Sequence, residues 1–177
     1  WLLYGDLDFD FVCESLLASQ FDEHGDGFAV GKMNYKAVVV PYCETMRSTT
    51  LDALEKFAGR GGKVIFMGEP PKYIDAVPSD RAARFAEKCT LLPWSRAMLY
   101  GELGSLRTVD IRNENGDFAG NLIYQSRIDG DRRNIFIAHV EKPKKYDIES
   151  TEKYTITFPG EVKITEYDTL SGEIKPM

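Results

Sequence analysis

The sequence has few of the residues from which metal centres and nucleophilic active sites are built. It contains three cysteines and two histidines in 177 residues. Cys13, Cys43 and Cys89 are far apart, which excludes a disulfide framework and a CxxC metal motif. We therefore expect these thiols to be small buried hydrophobic groups, and the sequence predicts no metal ion and no cofactor.

Long apolar runs and basic clusters are also lacking. No apolar segment approaches the roughly 20 residues that a membrane-spanning helix needs, and no signal peptide is visible. Lysine and arginine are scattered through a chain of formal net charge −6, which argues against nucleic acid and membranes as partners. The chain starts at Trp1 inside an apolar segment, and we interpret it as a piece of a longer protein.

The central feature of the sequence is a strand–helix–strand pattern. Residues 35–41 and 63–67 contain continuous apolar runs, which are typical of strands buried on both faces. Between them, apolar residues recur on one face of a predicted helix over 49–58, with Ser48 or Thr49 as its N-cap. This pattern predicts two central parallel strands joined by a helix.

Other parts of the chain predict further helices and then strands. Asp8 or Asp10 is expected to cap a helix, and Ser79-Asp80 to open another that ends at Pro93. Asp129-Gly130-Asp131 is the strongest hairpin signal. We predict an α/β domain over residues 1–104 and an antiparallel β domain over residues 105–177. The predicted β runs are 106–112, 121–128, 134–140, 154–158 and 162–167.

Three side chains lie where α/β folds bind ligands. Glu44 and Glu69 follow the two central strands, and the carboxyl ends of such strands form the ligand crevice of an open parallel sheet. Two carboxylates there can be the acid and nucleophile of a glycosidase if they are about 5–9 Å apart, and solvated loop carboxylates are the alternative. Ser48, at a helix start, could hold an anion, although capping alone explains it.

Cys43 lies just past a central strand, where class I glutamine amidotransferases carry a nucleophile. A nucleophile elbow needs a Gly-x-Cys-x-Gly turn and a histidine nearby. The flanking sequence here is Pro-Tyr-Cys-Glu-Thr, and neither His24 nor His139 has a matching context. We therefore predict that Cys43 is an unreactive thiol.

Two weaker patterns have structural explanations of their own. Residues 22–27 imitate the start of a calcium loop, but the twelfth position is Met33 instead of a bidentate Glu, so a turn is the preferred interpretation. Some tyrosines of the β region could stack on sugar rings or simply pack between strands. These are Tyr124, Tyr146, Tyr154 and Tyr167.

Several motifs follow one another in a characteristic order. They are Asp8-Phe-Asp-Phe11 with Leu16-Leu17, Gly31 to Pro41, Thr50 to Leu54, Gly61 to Ile65 and Pro70-Pro71, then Arg127 to Gly130 with Asn134 to Ile137, and Glu166 to Glu173. In this order they resemble the accessory region after the catalytic barrel in family 106 α-L-rhamnosidases and related large bacterial glycoside hydrolases. The first part is also similar to the trimerisation domain of family 42 β-galactosidases.

The resemblance implies a fold and a role. The fold is α/β, with a flavodoxin-like (class I glutamine amidotransferase-like) three-layer module followed by a small antiparallel β-sandwich. The catalytic barrel is outside this stretch, so the implied role is a non-catalytic accessory region that supports the barrel or oligomerisation. The implied partners are the upstream catalytic domain of the same polypeptide, a second copy of the chain, and a carbohydrate.

Two alternatives to the accessory role stay open at this point. One is a carbohydrate-binding module that uses the aromatic residues of the β region. The other is an amidotransferase-like enzyme that uses Cys43. Both a cytoplasmic and a secreted or periplasmic location in a bacterium are compatible with the sequence.

Overall fold

The computed structural model describes residues 1–141 and 151–177, which divide into two compact units. The α/β unit is Asp10–Gly104, and the β unit joins Trp1–Phe9 to Ser105–Met177. The two predicted domains, residues 1–104 and 105–177, stay a prediction, and the compact units group residues 1–9 with the β unit. Within the β unit, the Asp6 carboxylate accepts a hydrogen bond from the Ile111 amide at 2.8 Å, and the Gly5 carbonyl accepts one from Arg107 at 2.7 Å.

The α/β unit alternates short helices with short strands. In chain order its elements are α1 (Glu14–Gln20), β1 (Phe21–Asp22), β2 (Phe28–Val30), β3 (Met33–Tyr35), β4 (Ala37–Pro41), β5 (Thr45–Met46), α2 (Ser48–Gly59), β6 (Lys63–Met67), β7 (Tyr73–Ile74), β8 (Val77–Pro78), α3 (Arg81–Ala86), β9 (Thr90–Leu92) and α4 (Arg96–Leu103). The strands form three small sheets, in the orders β1-β2-β3, β4-β6-β9 and β5-β7-β8. The chain is therefore of the mixed α/β class.

The centre of this unit is the parallel sheet β4-β6-β9. β6 pairs in parallel with β4 on one side and with β9 on the other. α2 lies between β4 and β6 in the chain, which confirms the predicted strand–helix–strand unit. β6 is buried from Val64 to Met67, whereas β4 is largely half-buried, as expected for the outer position in this order.

Helices cover both faces of the central sheet. Val64 and Phe66 of β6 share a buried cluster with Leu51, Leu54 and Phe57 of α2. Lys63 lies on the opposite face by strand alternation, and its Nζ donates to the Oε1 of Glu102 in α4 at 2.9 Å. This layering positions the ends of the strands between two helical layers. The finer assignment to a flavodoxin-like topology stays a prediction.

Two predictions about the start of this unit are wrong. Tyr35 belongs to β3 and pairs antiparallel with Phe28 of β2, because the chain bends at Lys36 before β4 begins. α1 has Cys13 at its N-cap, with no side-chain cap. Asp10 accepts a hydrogen bond from the Tyr35 hydroxyl at 2.9 Å instead of capping the helix.

The helix predicted to end at Pro93 is shorter than expected. α3 ends at Ala86, and Thr90–Leu92 forms β9 instead. β9 pairs in parallel with Ile65–Met67 of β6, and these backbone hydrogen bonds outweigh the helical pattern. The sequence therefore missed one strand of the central sheet.

The β unit consists of antiparallel pairs. In chain order its elements are a 3-10 turn (Leu3–Gly5), a second 3-10 turn (Gly104–Leu106) that begins at the last residue of the α/β unit, β10 (Asp110–Asn113), β11 (Leu122–Asp129), β12 (Arg132–His139), β13 (Tyr154–Thr157), β14 (Thr165–Tyr167) and β15 (Ile174–Pro176). β10 pairs with β13, β11 with β12, and β14 with β15. Whether these pairs belong to a complete β-sandwich stays a prediction.

The hairpin signal in the β unit is confirmed. Asp129 pairs with Arg132 across a two-residue turn, and Gly130 has a φ of 60°. This left-handed conformation carries little cost for glycine. The small core of this unit lies at the other end of the hairpin, around Val109, Ile111, Ala119 and Leu122.

Candidate functional site

The ends of the three central strands are aligned. Pro41 pairs with Met67, and Met67 pairs with Leu92. The residues that follow β4, β6 and β9 therefore lie at the same end of the sheet, beyond the carboxyl ends of its strands, where α/β folds bind ligands. We call this end the carboxyl edge, and we define it by residues 42–44, 68–72 and 93–94.

Glu44 and Glu69 both lie at the carboxyl edge, and both are exposed. The Glu69 carboxylate lies 3.0 Å from the Nζ of Lys72, and both side chains are about two-thirds exposed. The hydrogen bond with Glu69 and its negative charge raise the pKa of Lys72, and Tyr42 and Glu44 contribute in the same direction. Lys72 thus lies near the oxygen groups of Glu69, Tyr42 and Glu44. The Glu44 and Glu69 side chains are exposed, whereas the general acid of a glycosidase needs a partly dry cleft.

Backbone hydrogen bonds tie the loops of the carboxyl edge together. The Glu44 carbonyl accepts from the amides of Lys72 at 3.1 Å and Tyr73 at 3.2 Å, and the Gly68 amide donates to the Leu92 carbonyl at 2.8 Å. Gly68 has a φ of 86°, and a Cβ there would lie 3.7 Å from the Cβ of Tyr42. The loops after β4, β6 and β9 are therefore fixed relative to one another.

Sequence reasoning missed two aromatic residues at this edge. Tyr42 directly follows β4, and Trp94 lies two residues after β9. Their exposed fractions are 58% and 61%. The pattern could have been found if Thr90–Leu92 had been assigned as a strand, because the alignment of strand ends then brings Trp94 to the same edge as Tyr42.

The start of α2 is occupied by carboxylates of the chain itself. The Ser48 amide donates to Asp75 at 3.0 Å, and the Arg47 amide donates to Glu14 at 2.9 Å. Hydrogen bonds from the side chain and backbone of Ser48 lower the pKa of Asp75. The N-cap position is Arg47 instead of the predicted Ser48 or Thr49. Asp75 therefore takes the place that an external anion would have at Ser48.

The Asp75 contact depends on an uncommon backbone conformation. Asp75 and Ala76 form the turn between β7 and β8, with φ values of 51° and 62°. The Asp75 amide donates to the Met46 carbonyl at 3.0 Å, and the Ala76 amide to the Thr45 hydroxyl at 3.3 Å. Left-handed alanine is strained, so the surrounding hydrogen bonds are what hold this turn against α2.

Cys43 has the environment of an inert thiol. Burial raises its pKa, and the nearby charge of Glu14 raises it further. It packs against the apolar core of the α/β unit. The two histidines lie beside other groups, His24 at 3.7 Å from Glu23 and His139 at 3.9 Å from Glu152. These contacts support the prediction that Cys43 is unreactive, which stays a prediction.

Cys13 corrects the expectation that all the thiols are buried. It is exposed, at the start of α1. Its Sγ lies 3.1 Å from the Ser15 hydroxyl, and hydrogen bonds with the side chain and backbone of Ser15 lower its pKa. The apolar residues Phe11 and Val12 precede it and are also exposed, so this whole segment lies at the surface.

The turn over residues 22–27 is closed by a cation of the protein. Arg60 donates to the carbonyls of Gly25 at 2.7 Å and Gly27 at 3.2 Å. The Asp22 side chain accepts from the His24 amide at 2.9 Å. These oxygens are therefore engaged within the chain, as the turn interpretation requires. Within residues 1–141 and 151–177, no group of three or more His, Cys, Asp or Glu could hold a metal ion.

The tyrosines of the β unit are in different environments. Tyr124 and Tyr154 pack against the small core, and the Tyr154 hydroxyl accepts from Asn121 at 2.7 Å. Tyr167 on β14 is exposed, and Tyr146 lies outside the described residues. Tyr124, Tyr154 and Tyr167 thus do not form one exposed row. Among the helices of the described part, none is long and apolar enough to cross a membrane.

Comparisons with known proteins give one structural match. No family model matches the chain, and no curated protein matches it. Among solved structures, the chain is similar to the apo exo-carrageenase GH42 from Bacteroides ovatus, with a TM-score of 0.59 and 14% sequence identity. The match covers 99% of this chain and 24% of the carrageenase chain, so this chain spans about a quarter of that protein. At this identity the likeness shows the fold alone, which is related to part of a glycoside hydrolase.

Proposed function

We propose that this chain is a non-catalytic accessory region of a bacterial glycoside hydrolase. It supports a catalytic barrel in the same polypeptide or takes part in oligomerisation. The main support is the coverage of the structural match, which includes 99% of this chain but only 24% of an exo-carrageenase. A fold that recurs as a minor part of a longer glycoside hydrolase is better explained as an accessory region than as an enzyme.

The carboxyl edge supports the non-catalytic part of the proposal. Hydrolysis needs an acid and a second carboxylate across the scissile bond in a partly dry cleft. Glu69 instead forms an exposed ion pair with Lys72, and Glu44 is exposed. Both side chains are therefore at the exposed surface, whereas a general acid of a glycosidase works in a partly dry cleft.

The proposal also includes a more specific fold than the structural match shows. We propose that the α/β unit is a flavodoxin-like module, because helices lie on both faces of a parallel sheet. We propose that the antiparallel pairs of the β unit belong to a small β-sandwich. The resemblance to family 106 α-L-rhamnosidases and to the family 42 trimerisation domain belongs to the same proposal.

The decisive experiment compares the isolated chain with the full polypeptide encoded by its gene. Both are assayed on aryl galactosides, aryl rhamnosides and carrageenan oligosaccharides. We expect turnover by the full polypeptide and none by the isolated chain. Deletion of the chain from the full polypeptide should lower its thermal stability or change its mass in light scattering.

A different result would contradict the accessory role. If the purified isolated chain hydrolyses any of these glycosides, and Glu44→Gln or Glu69→Gln abolishes the activity, the carboxyl edge is catalytic. The Gln variants retain size and hydrogen-bonding capacity, so a loss of orders of magnitude in rate would report the acid–base or nucleophilic role.

A further inference from the structure

We propose that the outer side of β4 pairs with a further β-strand, contributed by the part of the longer polypeptide that lies outside residues 1–177. β4 is an outer strand in the order β4-β6-β9. The inference rests on the proposed function, because it names one surface through which the accessory region holds the rest of its polypeptide. It concerns the backbone of β4 and requires no catalysis by this chain.

One hydrogen bond of the central sheet fixes the direction of the backbone groups of β6. The Gly68 amide donates to the Leu92 carbonyl at 2.8 Å, so the backbone N–H of Gly68 is directed toward β9. Backbone N–H and C=O groups of successive residues in a strand point to alternate sides. Ile65 comes three residues before Gly68, so its backbone groups are directed the other way, toward β4.

The same alternation separates inward from outward groups in β4. Ile65 is the register partner of Val39, and a residue in a parallel ladder bonds to the two residues that flank its partner. Ile65 therefore bonds to Val38 and Val40. Ala37 and Val39 direct their N–H and C=O groups away from β6, and these groups define the outer side of β4.

The outer side of β4 lacks the protection that native edge strands usually have. Within residues 1–141 and 151–177, β6 is the only strand that pairs with β4. Edge strands are commonly blunted by charged residues, by proline or by short length. β4 has five residues with the sequence Ala-Val-Val-Val-Pro, and its proline comes after the outward groups of Ala37 and Val39. A continuous apolar run of this kind is typical of a strand in the interior of a parallel sheet.

The opposite edge of the same sheet is protected. β9 has only three residues, Thr90–Leu92, and Pro93 follows it directly. Because the Leu92 carbonyl is directed toward β6, alternation leaves only Leu91 with outward backbone groups. An added strand can therefore bond to one residue of β9 but to two residues of β4, so β4 is the edge suited to pairing.

The chemistry of the outer side selects an extended apolar segment. Outward N–H and C=O groups at a spacing of two residues match the backbone of another strand. The half-buried side chains of Val38 and Val39 would be covered further by apolar neighbours on both faces of the sheet. The structural match covers only 24% of a longer glycoside hydrolase chain. In the proposed polypeptide the added strand is covalently joined to β4, which raises its effective concentration above that of a second copy.

The test is hydrogen exchange in the full polypeptide encoded by the gene, compared with the isolated 177-residue chain. Mass spectrometry with fragmentation that resolves single amides is the measurement. We expect the Ala37 and Val39 amides to exchange about tenfold or more slower in the full polypeptide, because the added strand accepts their hydrogen bonds. The amides of Val38 and Val40 should be slow in both proteins, and the outward amide of Leu91 should be fast in both.

A matched pair of variants tests the backbone contact itself. Ala37→Pro removes one outward N–H at the first residue of β4, a position at which a strand tolerates proline. In the full polypeptide it should speed exchange of the Val39 amide by about tenfold, the order expected for the loss of one hydrogen bond. Leu91→Pro removes the corresponding N–H at the other edge and should leave exchange at Val39 unchanged. Circular dichroism verifies that both variants are folded.

A crystal structure of the full polypeptide identifies the added strand. We expect a backbone carbonyl from outside residues 1–177 to lie within about 3.2 Å of the Val39 nitrogen. A structure in which only side chains cover Ala37 and Val39 would contradict strand pairing.

Three results of the exchange experiment would also overturn the pairing. The first is exchange at Ala37 and Val39 in the full polypeptide that is as fast as at Leu91. The second is slow exchange at both residues already in the dilute isolated chain, which would mean that the chain covers β4 by itself. The third is exchange in the isolated chain that slows as its concentration rises, which would assign the outer side to a second copy.

The accessory role is tested by a different measurement. It fails if the isolated chain hydrolyses glycosides by itself, whatever the exchange at β4. Fast exchange at Ala37 and Val39 in an active full polypeptide would instead remove the strand pairing and leave the accessory role in place.

Discussion

Asp6 is a buried carboxyl group in the β unit, with an exposed fraction of 3%. Its backbone has a φ of 54°, and its side chain accepts from the Ile111 amide at 2.8 Å. Burial raises its pKa above the ordinary value of an aspartate, partly opposed by this hydrogen bond and by the charges of Arg107 and Arg112. The carboxyl therefore favours folding most when it is protonated.

The raised pKa of Asp6 predicts how stability depends on pH. A carboxyl with a raised pKa contributes most stability below its unfolded pKa of about 3.9, and this contribution is lost as pH rises through the higher folded pKa. Asp6→Asn keeps the hydrogen-bond acceptor and tolerates the left-handed backbone. In urea titrations at a series of pH values, we expect it to gain stability relative to wild type as pH rises above about 4.

The control for Asp6 is Asp8→Asn, which changes an exposed residue of the same segment. This variant should follow the wild-type dependence on pH. If Asp6→Asn is instead least stable relative to wild type at neutral pH, the charged Asp6 carboxylate is stabilised by Arg107 and Arg112 more than burial destabilises it.

Thiol reactivity is a second property decided by single residues. Cys13 is exposed and has a lowered pKa through Ser15, whereas burial raises the pKa of Cys43 and Cys89. Because the thiolate is the reactive form, iodoacetamide at neutral pH should alkylate Cys13 well before the other two. Peptide mass spectrometry over a time course measures the order.

Two substitutions test the origin of the Cys13 reactivity. Ser15→Ala should slow alkylation of Cys13, because Ser15 is the largest cause of its lowered pKa. Ser19→Ala, later in the same helix α1, should leave the rate unchanged. Faster labelling of Cys43 than of Cys13 would contradict both the packing of Cys43 and the prediction that it is inert.

At the scale of elements, two glycines near the end of α2 differ in the space around them. A Cβ on Gly62 would lie 2.3 to 2.5 Å from ring atoms of Phe57, whereas a Cβ on Gly59 would meet nothing within 4 Å. Phe57 is buried against Phe28, with ring centroids 5.4 Å apart. Gly62 therefore lets the chain turn closely over the aromatic core before β6 begins.

This difference predicts opposite effects of the same substitution. Gly62→Ala should destabilise the protein by about 1–3 kcal/mol, the usual cost of forcing an extra carbon into a packed core. Gly59→Ala, at the last residue of α2, should be neutral or stabilise by up to about 1 kcal/mol, since alanine favours helices. Thermal unfolding of the two variants measures both, and equal changes would mean that Phe57 moves aside without cost.

The elements that sequence patterns predicted are those in which local signals and packing agree. α2 and β6 carry both an apolar pattern and glycine punctuation, and the hairpin at Gly130 carries turn chemistry. β9 was missed because three residues are too few to show a period, and pairing with β6 alone makes it a strand. Tyr35 was assigned to the central strand since the bend at Lys36 has no glycine or proline signal.

The candidate site was predicted only in part for the same reason. Glu44 and Glu69 could be placed because they follow strands that were predicted. Trp94 could not be placed at their side, because its position depends on β9. The occupation of the α2 start by Asp75 depends on a left-handed turn at alanine, and sequence patterns favour glycine or asparagine at such positions.

At the scale of the whole molecule, the two units differ in how much core they have. The α/β unit has a continuous cluster from Leu17 to Ala86 that includes α2, α3 and the central sheet. The core of the β unit is formed around β10 and the near end of the β11–β12 hairpin. Side chains of β14 and β15 are exposed throughout. Burial of apolar surface is the main favourable term in folding, so the units should differ in stability.

This difference predicts the order of hydrogen exchange. Amides of β6 and α2 should exchange slowest, because opening them exposes the larger core. Amides of β14–β15 and of the far half of β11–β12, where Ile128 is 71% exposed, should exchange fastest, since isolated two-stranded hairpins are marginally stable. Mass spectrometry of the exchanging chain measures the order directly. In the full polypeptide, β14–β15 should gain protection if the accessory role includes packing of this hairpin against the rest of the protein. Exchange at β14–β15 that is already as slow as at β6 in the isolated chain would contradict the difference in stability between the two units.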